Sequence, residues 1–156
     1  MVQASVSPGV SDFFLMRVDT TKFVLISGLT IQNGWGGVVN NSGTLRLLDS
    51  TVRNIHLAGG VSTRGLTLTV IVNSSIENNS TAGVAGTRND EIRVLNSTIR
   101  GNTGGGLIAA ELTTVINSTI SGNTGPDTGW AGVFVGYDDS LTLINSTVVD
   151  NVPSTE

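Results

Sequence analysis

The sequence predicts an all-β fold: a solenoid of about six coils, each with three short strands, stacked in parallel. Three observations predict it. The first is a recurring phrase, Asn-Ser-Thr-Ile followed by Asn. It appears as Asn96-Ser97-Thr98-Ile99 with Asn102, Asn117-Ser118-Thr119-Ile120 with Asn123, and Asn145-Ser146-Thr147-Val148 with Asn151. Looser copies are Asn73-Ser74-Ser75-Ile76 with Asn79, Asp49-Ser50-Thr51-Val52 with Asn54, and Gly28-Leu29-Thr30-Ile31 with Asn33. The second is the spacing. The anchors Ile31, Val52, Ile76, Ile99, Ile120 and Val148 stand 21, 24, 23, 21 and 28 residues apart, a period that marks stacked repeats. The third is punctuation. Gly and Asn interrupt the apolar runs too often for a helical period to survive.

Each repeat divides into three extended pieces. The first precedes the anchor, at residues 23–26, 44–48, 66–72, 92–95, 112–116 and 141–144. These runs are aliphatic or β-branched and mostly alternate, as strands require. The second piece is the anchor itself. The third follows a Gly-rich turn, at Val38-Val39, Val61, Val84, Leu107-Ile108 and Val133-Phe134-Val135. A sandwich gives no reason for side-chain identities to repeat, whereas stacking does. Equivalent residues then lie about 4.8 Å apart in parallel, in-register sheets. The anchors become one core ladder. Asp49, Asn73, Asn96, Asn117 and Asn145 become a polar ladder at a bend, where stacked amides can satisfy one another and the turn. Thr30, Thr51, Ser75, Thr98, Thr119 and Thr147 fall on the opposite, outer face.

Residues 1–11 are small and polar and read as an N-terminal arm or partial cap, with the solenoid domain over 12–156. Phe13-Phe14-Leu15-Met16 reads as the third strand of an incomplete first coil. Neither end shows a capping helix, and uncovered solenoid ends expose apolar core and unpaired strand groups. Self-association through an end, as a homodimer, is therefore expected.

Composition excludes several classes. The net charge is −4 with eight Lys plus Arg, so no basic stripe exists for nucleic acid. There is no Cys, which removes disulfides and thiolate metal sites. No run of 18 apolar residues spans a membrane, and the first residues lack the pattern of a signal peptide. At 38% hydrophobic residues the chain is not a disordered segment. The Asn-x-Ser/Thr sequons arise from the repeat phrase itself.

The phrase strand, Asn-Ser-Thr-Ile, two residues, Asn, then Gly-Gly before a short apolar strand, resembles the right-handed parallel β-helix repeat of secreted and surface bacterial proteins. Pectate-lyase-like solenoids and Asn-rich autotransporter passenger repeats share that architecture. The resemblance covers residues 13–151. It implies a secreted or cell-surface parent and a larger repeat protein of origin. That superfold hosts lyases, hydrolases, adhesins and passive stalks, so activity must be argued from a site.

The catalytic signs that the resemblance would require are mostly missing. Polygalacturonases carry Asn-Thr-Asp, a paired Asp, Gly-His-Gly and Arg-x-Lys. Here only the pair Asp138-Asp139 exists, the one His lies in Ile55-His56-Leu57, and Arg93 leads to Val94-Leu95. Asp138 and Asp139 read as a solvated turn, and as the catalytic alternative if the chain is a small polysaccharide lyase or hydrolase. His56 reads as a turn residue. Arg53, Glu77 and Arg100 follow their anchors by one position and form a surface ladder of alternating charge, each pair worth well under ~1 kcal/mol. That irregular, charged row departs from the flat Thr-x-Thr face of ice-binding solenoids. No metal-ligand set and no cofactor motif is read.

Two tryptophans carry the ligand-binding expectation. Trp35 and Trp130 both stand three residues before a third-strand Val. Ala58, Thr81 and Gly104 occupy that position between them. Two indoles then flank a floor of small residues, about 19 Å apart over four coil rises. Sugar rings pack their C–H faces on such platforms, and the competing role is shielding of the core near the ends. Trp35, Trp130, Thr81 and Tyr137 are the candidate ligand-binding residues. The leading function is a non-catalytic β-helix module, structural, adhesive or carbohydrate-contacting.

Overall fold

The computed structural model describes residues 2–3, 14–125 and 130–153, and every paired strand among them runs parallel. The chain enters through β1 (Val2–Gln3) and β2 (Phe14–Ser27). The first anchor strand is β3 (Thr30–Gln32), followed by the long β4 (Gly36–Leu48). The next coil holds β5 (Thr51–Arg53), β6 (Val61–Thr63) and β7 (Thr67–Val72). Then come β8 (Ser75–Glu77), β9 (Val84–Ala85) and β10 (Glu91–Leu95). The pattern repeats in β11 (Thr98–Arg100), β12 (Leu107–Ile108) and β13 (Leu112–Ile116). The last rungs are β14 (Thr119–Ser121), β15 (Thr124–Gly125), β16 (Val133–Phe134), β17 (Ser140–Ile144), β18 (Thr147–Val149) and β19 (Val152–Pro153).

The anchor strands form one seven-stranded sheet, β1-β3-β5-β8-β11-β14-β18. First and third strands share a ten-stranded sheet, β16-β12-β9-β6-β4-β7-β10-β13-β17, with β2 beside β4. They share it because β4 runs through the segment 40–43 without breaking, although Asn40-Asn41-Ser42-Gly43 has turn-like composition. Asn40 is fully buried there, and its amide donates to Thr69 Oγ1 at 3.1 Å. Six anchors enclose about five turns, one fewer than the coil count expected from sequence, since the turns lie between the rungs.

The anchors stack in register, Ile31 on Val52, Ile76, Ile99, Ile120 and Val148. The first five are wholly buried. Removing such a side chain from water is worth about 1.5–3 kcal/mol. Phe14 and Met16 pair with Gly36 and Val38, as the third strand of an opening coil should, while Phe13 lies outside the described residues. Most of the 1–11 arm also lies outside them. Val2 and Gln3 pair with Ile31 and Gln32.

Every three-residue anchor strand is framed by two residues in the left-handed region. Before it stand Gly28, Asp49, Asn73, Asn96, Asn117 and Asn145, with φ from 47° to 69°. After it stand Asn33, Asn54, Asn78, Gly101, Gly122 and Asp150, with φ from 53° to 63°. Only Gly, Asn and Asp visit this region readily, which explains the repeat's composition.

Inside the two bends run two buried ladders. On one side, the backbone N–H of Ser50, Ser74, Ser97 and Ser118 donates to the hydroxyl of the next coil's Ser at 3.0–3.2 Å. On the other, the side-chain amides of Asn79, Asn102 and Asn123 donate to the next Asn Oδ1, ending at Asn151, at 2.8–2.9 Å. That same oxygen accepts the backbone N–H of the preceding ladder residue. Asn102 also donates to Ile76 O at 3.1 Å.

Asn102→Ala leaves the Asn79 amide, the Asn79 N–H and Ile76 O without these partners in the interior. The expected loss is about 3 kcal/mol or more, given ~1–3 kcal/mol for each buried unsatisfied group. Urea unfolding followed by far-UV circular dichroism measures it. A loss near zero would show that water replaces the ladder.

Candidate functional site

The Gly-rich turn before each third strand makes the concave corner of the coil. A Cβ at Gly60, Gly83 or Gly106 would stand 2.7–2.8 Å from the Cγ2 of Ile76, Ile99 or Ile120. Glycine there lets the turn settle onto the next anchor. The corner that results is a groove of about 450 Å³ over three coils. Ala58, Thr81 and Gly104 lie along it, together with Leu57, Arg64 and Ile108. The row of small residues inferred from the period is therefore a surface depression.

An aromatic pair lies next to the groove, outside its lining. Gly105, at φ +97°, accepts the Trp130 indole against its Cα, where any Cβ would collide with the ring. Trp130 packs on Phe134 with centroids 5.4 Å apart and rings tilted by 40°. Phe134 pairs with Ile108, which lines the groove. At the other end Trp35 O accepts the backbone N–H of Leu57 (2.9 Å) and Ala58 (3.0 Å). Trp35 Nε1 is buried, and no hydrogen-bond partner for it occurs among the described residues. Thr81 Oγ1 is in the same condition, within the groove lining. Tyr137 is fully exposed and is not among the residues that line the groove.

The acidic candidates lie in the turn between third and first strands. Asp138 is 3.5 Å from the Arg88 guanidinium, and Asp139 accepts the Gly136 N–H at 3.1 Å. With Glu111 of the preceding coil they line a pocket of about 360 Å³. Among the described residues no group of three or more His, Asp or Glu could hold a metal ion. His56 is exposed and donates its backbone N–H to Gly34 O. No helix there is long and apolar enough to cross a membrane.

Sequence reasoning missed Asp90. It is 2% exposed and accepts from Thr63 and Thr87 hydroxyls at 3.0 and 2.7 Å, and from Thr67 N–H and hydroxyl at 3.1 and 3.0 Å. The Thr87 N–H donates to it as well. This saturates a buried carboxylate with donors and braces the turn. The local signal was Thr87-Arg88-Asn89-Asp90, a turn with Asn89 at φ 67°.

Glu77 is mostly buried in the charge row. Burial pushes its carboxyl up, but hydrogen bonds from Arg100 (2.9 Å) and Ser75 (3.0 Å), with the Arg100 charge, outweigh this and hold it below the ordinary value of 4.5. Arg53 bonds instead to Gln32 at 2.8 Å.

The model of the right handed beta helix region matches residues 14–154, and the chain belongs to that family. No curated protein and no solved structure matches the chain.

The depressed Glu77 carboxyl contributes stability that is present above its ordinary value and is lost as pH falls through the folded value. Glu77→Gln should therefore cost stability near neutrality and progressively less in acid. Denaturant midpoints of both proteins across that range test this. A pH-independent difference would remove the ion pair as its cause.

Proposed function

We propose that this β-helix is a non-catalytic module that contacts a saccharide in the groove over Ala58, Thr81 and Gly104, in a structural or adhesive setting. One observation carries the reading. A groove of about 450 Å³ with a mostly apolar lining lies beside the Trp130–Phe134 pair, with Phe134 next to the groove-lining Ile108. Ligand clefts of about 300–1,000 Å³ with a few placed polar groups are the common form of small-molecule sites. Apolar walls suit the C–H faces of a sugar, and the exposed Arg64 of the lining can donate to its hydroxyls. Trp130 is the aromatic contact, and Trp35 supports the far end through its backbone.

A panel of neutral and acidic oligosaccharides titrated against intrinsic fluorescence tests this. A binder should shift or quench the Trp signal. Trp130→Ala should weaken binding at least about tenfold, as loss of an aromatic anchor worth ~1.4 kcal/mol implies, with little change in melting temperature. A large stability loss with no ligand response from the parent protein would assign Trp130 to core shielding instead.

The second reading is a small polysaccharide lyase or hydrolase. It is favoured by Glu111, Asp138 and Asp139, which bring carboxylates from two coils to one pocket beside Arg88. Incubation with the same panel should then release new reducing ends, and Asp138→Asn should abolish the release. Intact polysaccharide after prolonged incubation would discard this reading and leave the groove proposal standing.

A further inference from the structure

Arg64 is the one charged side chain that lines the groove over Ala58, Thr81 and Gly104. It is exposed and directly follows β6, and its backbone N–H donates to Asn40 O at 2.8 Å. Gly65 and Leu66 come next, both in the left-handed region at φ 84° and 62°. A residue such as Leu66 keeps that conformation only where its surroundings hold it there. The hold lies on both sides of the turn. Thr63 before it and Thr67 after it donate their hydroxyls to Asp90 at 3.0 Å, and the Thr67 N–H donates to Asp90 at 3.1 Å. The buried acid thus fixes the short segment that carries Arg64 to the groove.

The Arg64 guanidinium also stands apart from the other cations. Arg17, Arg88, Arg93 and Arg100 each pair with a carboxylate. Arg53 donates to Gln32, Arg46 lies over the Phe23 ring, and Lys22 is engaged as well. Among the described residues no acid and no acceptor meets the side chain of Arg64. Asp90 offers it no free oxygen, because its carboxylate already accepts five N–H and O–H donors. In a chain of net charge −4, a cation without a counter-charge in an otherwise uncharged depression is suited to an anion. Its planar fork of donors matches a carboxylate or a sulfate.

We propose that the saccharide of this groove bears an isolated oxyanion, a carboxylate or a sulfate, and that Arg64 binds it. The proposal rests on the groove reading above and adds the class of sugar. The lining sets the number of acidic groups. A second acid on a neighbouring ring finds no second cation in the lining, and the net charge of the chain opposes it. One acidic ring among neutral ones therefore fits better than a uniform polyanion. The neutral rings pack on the aliphatic and small residues, and the acidic ring fixes the register of the oligomer.

The test is calorimetric titration of the intact chain with matched sets of oligosaccharides. Each set holds a neutral oligomer, the same oligomer with one ring oxidised to the uronate at C6, the same with one 6-sulfate, and the fully oxidised form. The singly acidic members should bind about tenfold more tightly than their neutral counterparts, as one charge-assisted contact implies. Raised ionic strength should weaken them, and full oxidation should add nothing further. The tighter of the uronate and sulfate arms assigns the oxyanion. Arg64→Gln should bring the singly acidic members down to the neutral level, with circular dichroism and melting temperature unchanged at this exposed position. Arg64→Lys keeps the charge without the fork, so it should keep the salt dependence and part of the affinity. Neutral oligomers that bind as tightly as acidic ones would overturn the proposal and leave the groove reading standing. So would an acid preference that survives in folded Arg64→Gln, or an affinity that climbs with every added acid. Binding by no member of any set would overturn both.

Discussion

Everything in this fold depends on the way each coil's corner N–H groups are satisfied by the next coil. A three-residue anchor strand between two left-handed residues turns the chain sharply at both ends. The turned backbone then points N–H groups inward, where water cannot reach. The Ser hydroxyls and Asn amides of the following coil meet them at 3.0–3.2 Å and 3.0–3.1 Å. A one-residue slip would break both ladders and also carry Ile outward and Thr inward. Register is thus set three times over, by an apolar row and two polar ones. Stability then resides in neighbouring coil pairs rather than in any coil alone.

This dependence explains what could be read before the structure was known. Ile31, Val52, Ile76, Ile99 and Ile120 announce themselves by identity and spacing, because each performs the same task one rung apart. The third-strand row, and the entry of the chain at Phe14 as part of an opening coil, follow from the same period. The continuity of β4 did not. Asn40-Asn41-Ser42-Gly43 looks like a turn, and only the burial of Asn40 against Thr69 shows that its polarity faces inward. Asp90 was hidden for a related reason. Its donors Thr63 and Thr67 lie 27 and 23 residues earlier and reach it only through stacking.

The groove divides in the same way. Its floor was legible, since Ala58, Thr81 and Gly104 share one place in the repeat. The direction of the indoles was not, because the period places a Cα and leaves the side-chain rotamer to local packing. Trp130 packs against Gly105 beside Phe134, while Trp35 buries its Nε1. Two residues equivalent in sequence thus pack differently. Tyr137 belongs to a turn whose length varies from coil to coil, so no row of the repeat constrains it.

A stack held by donation to the next coil has a direction, and its two ends cannot be alike. Among the described residues β1 lies on β3 and β2 on β4 at the first rungs, and β17, β18 and β19 are the last rungs of their sheets. β16, the outermost third-strand rung among the described residues, bears Phe134, so the aromatic pair beside the groove sits toward the end of the stack to which the ladders donate.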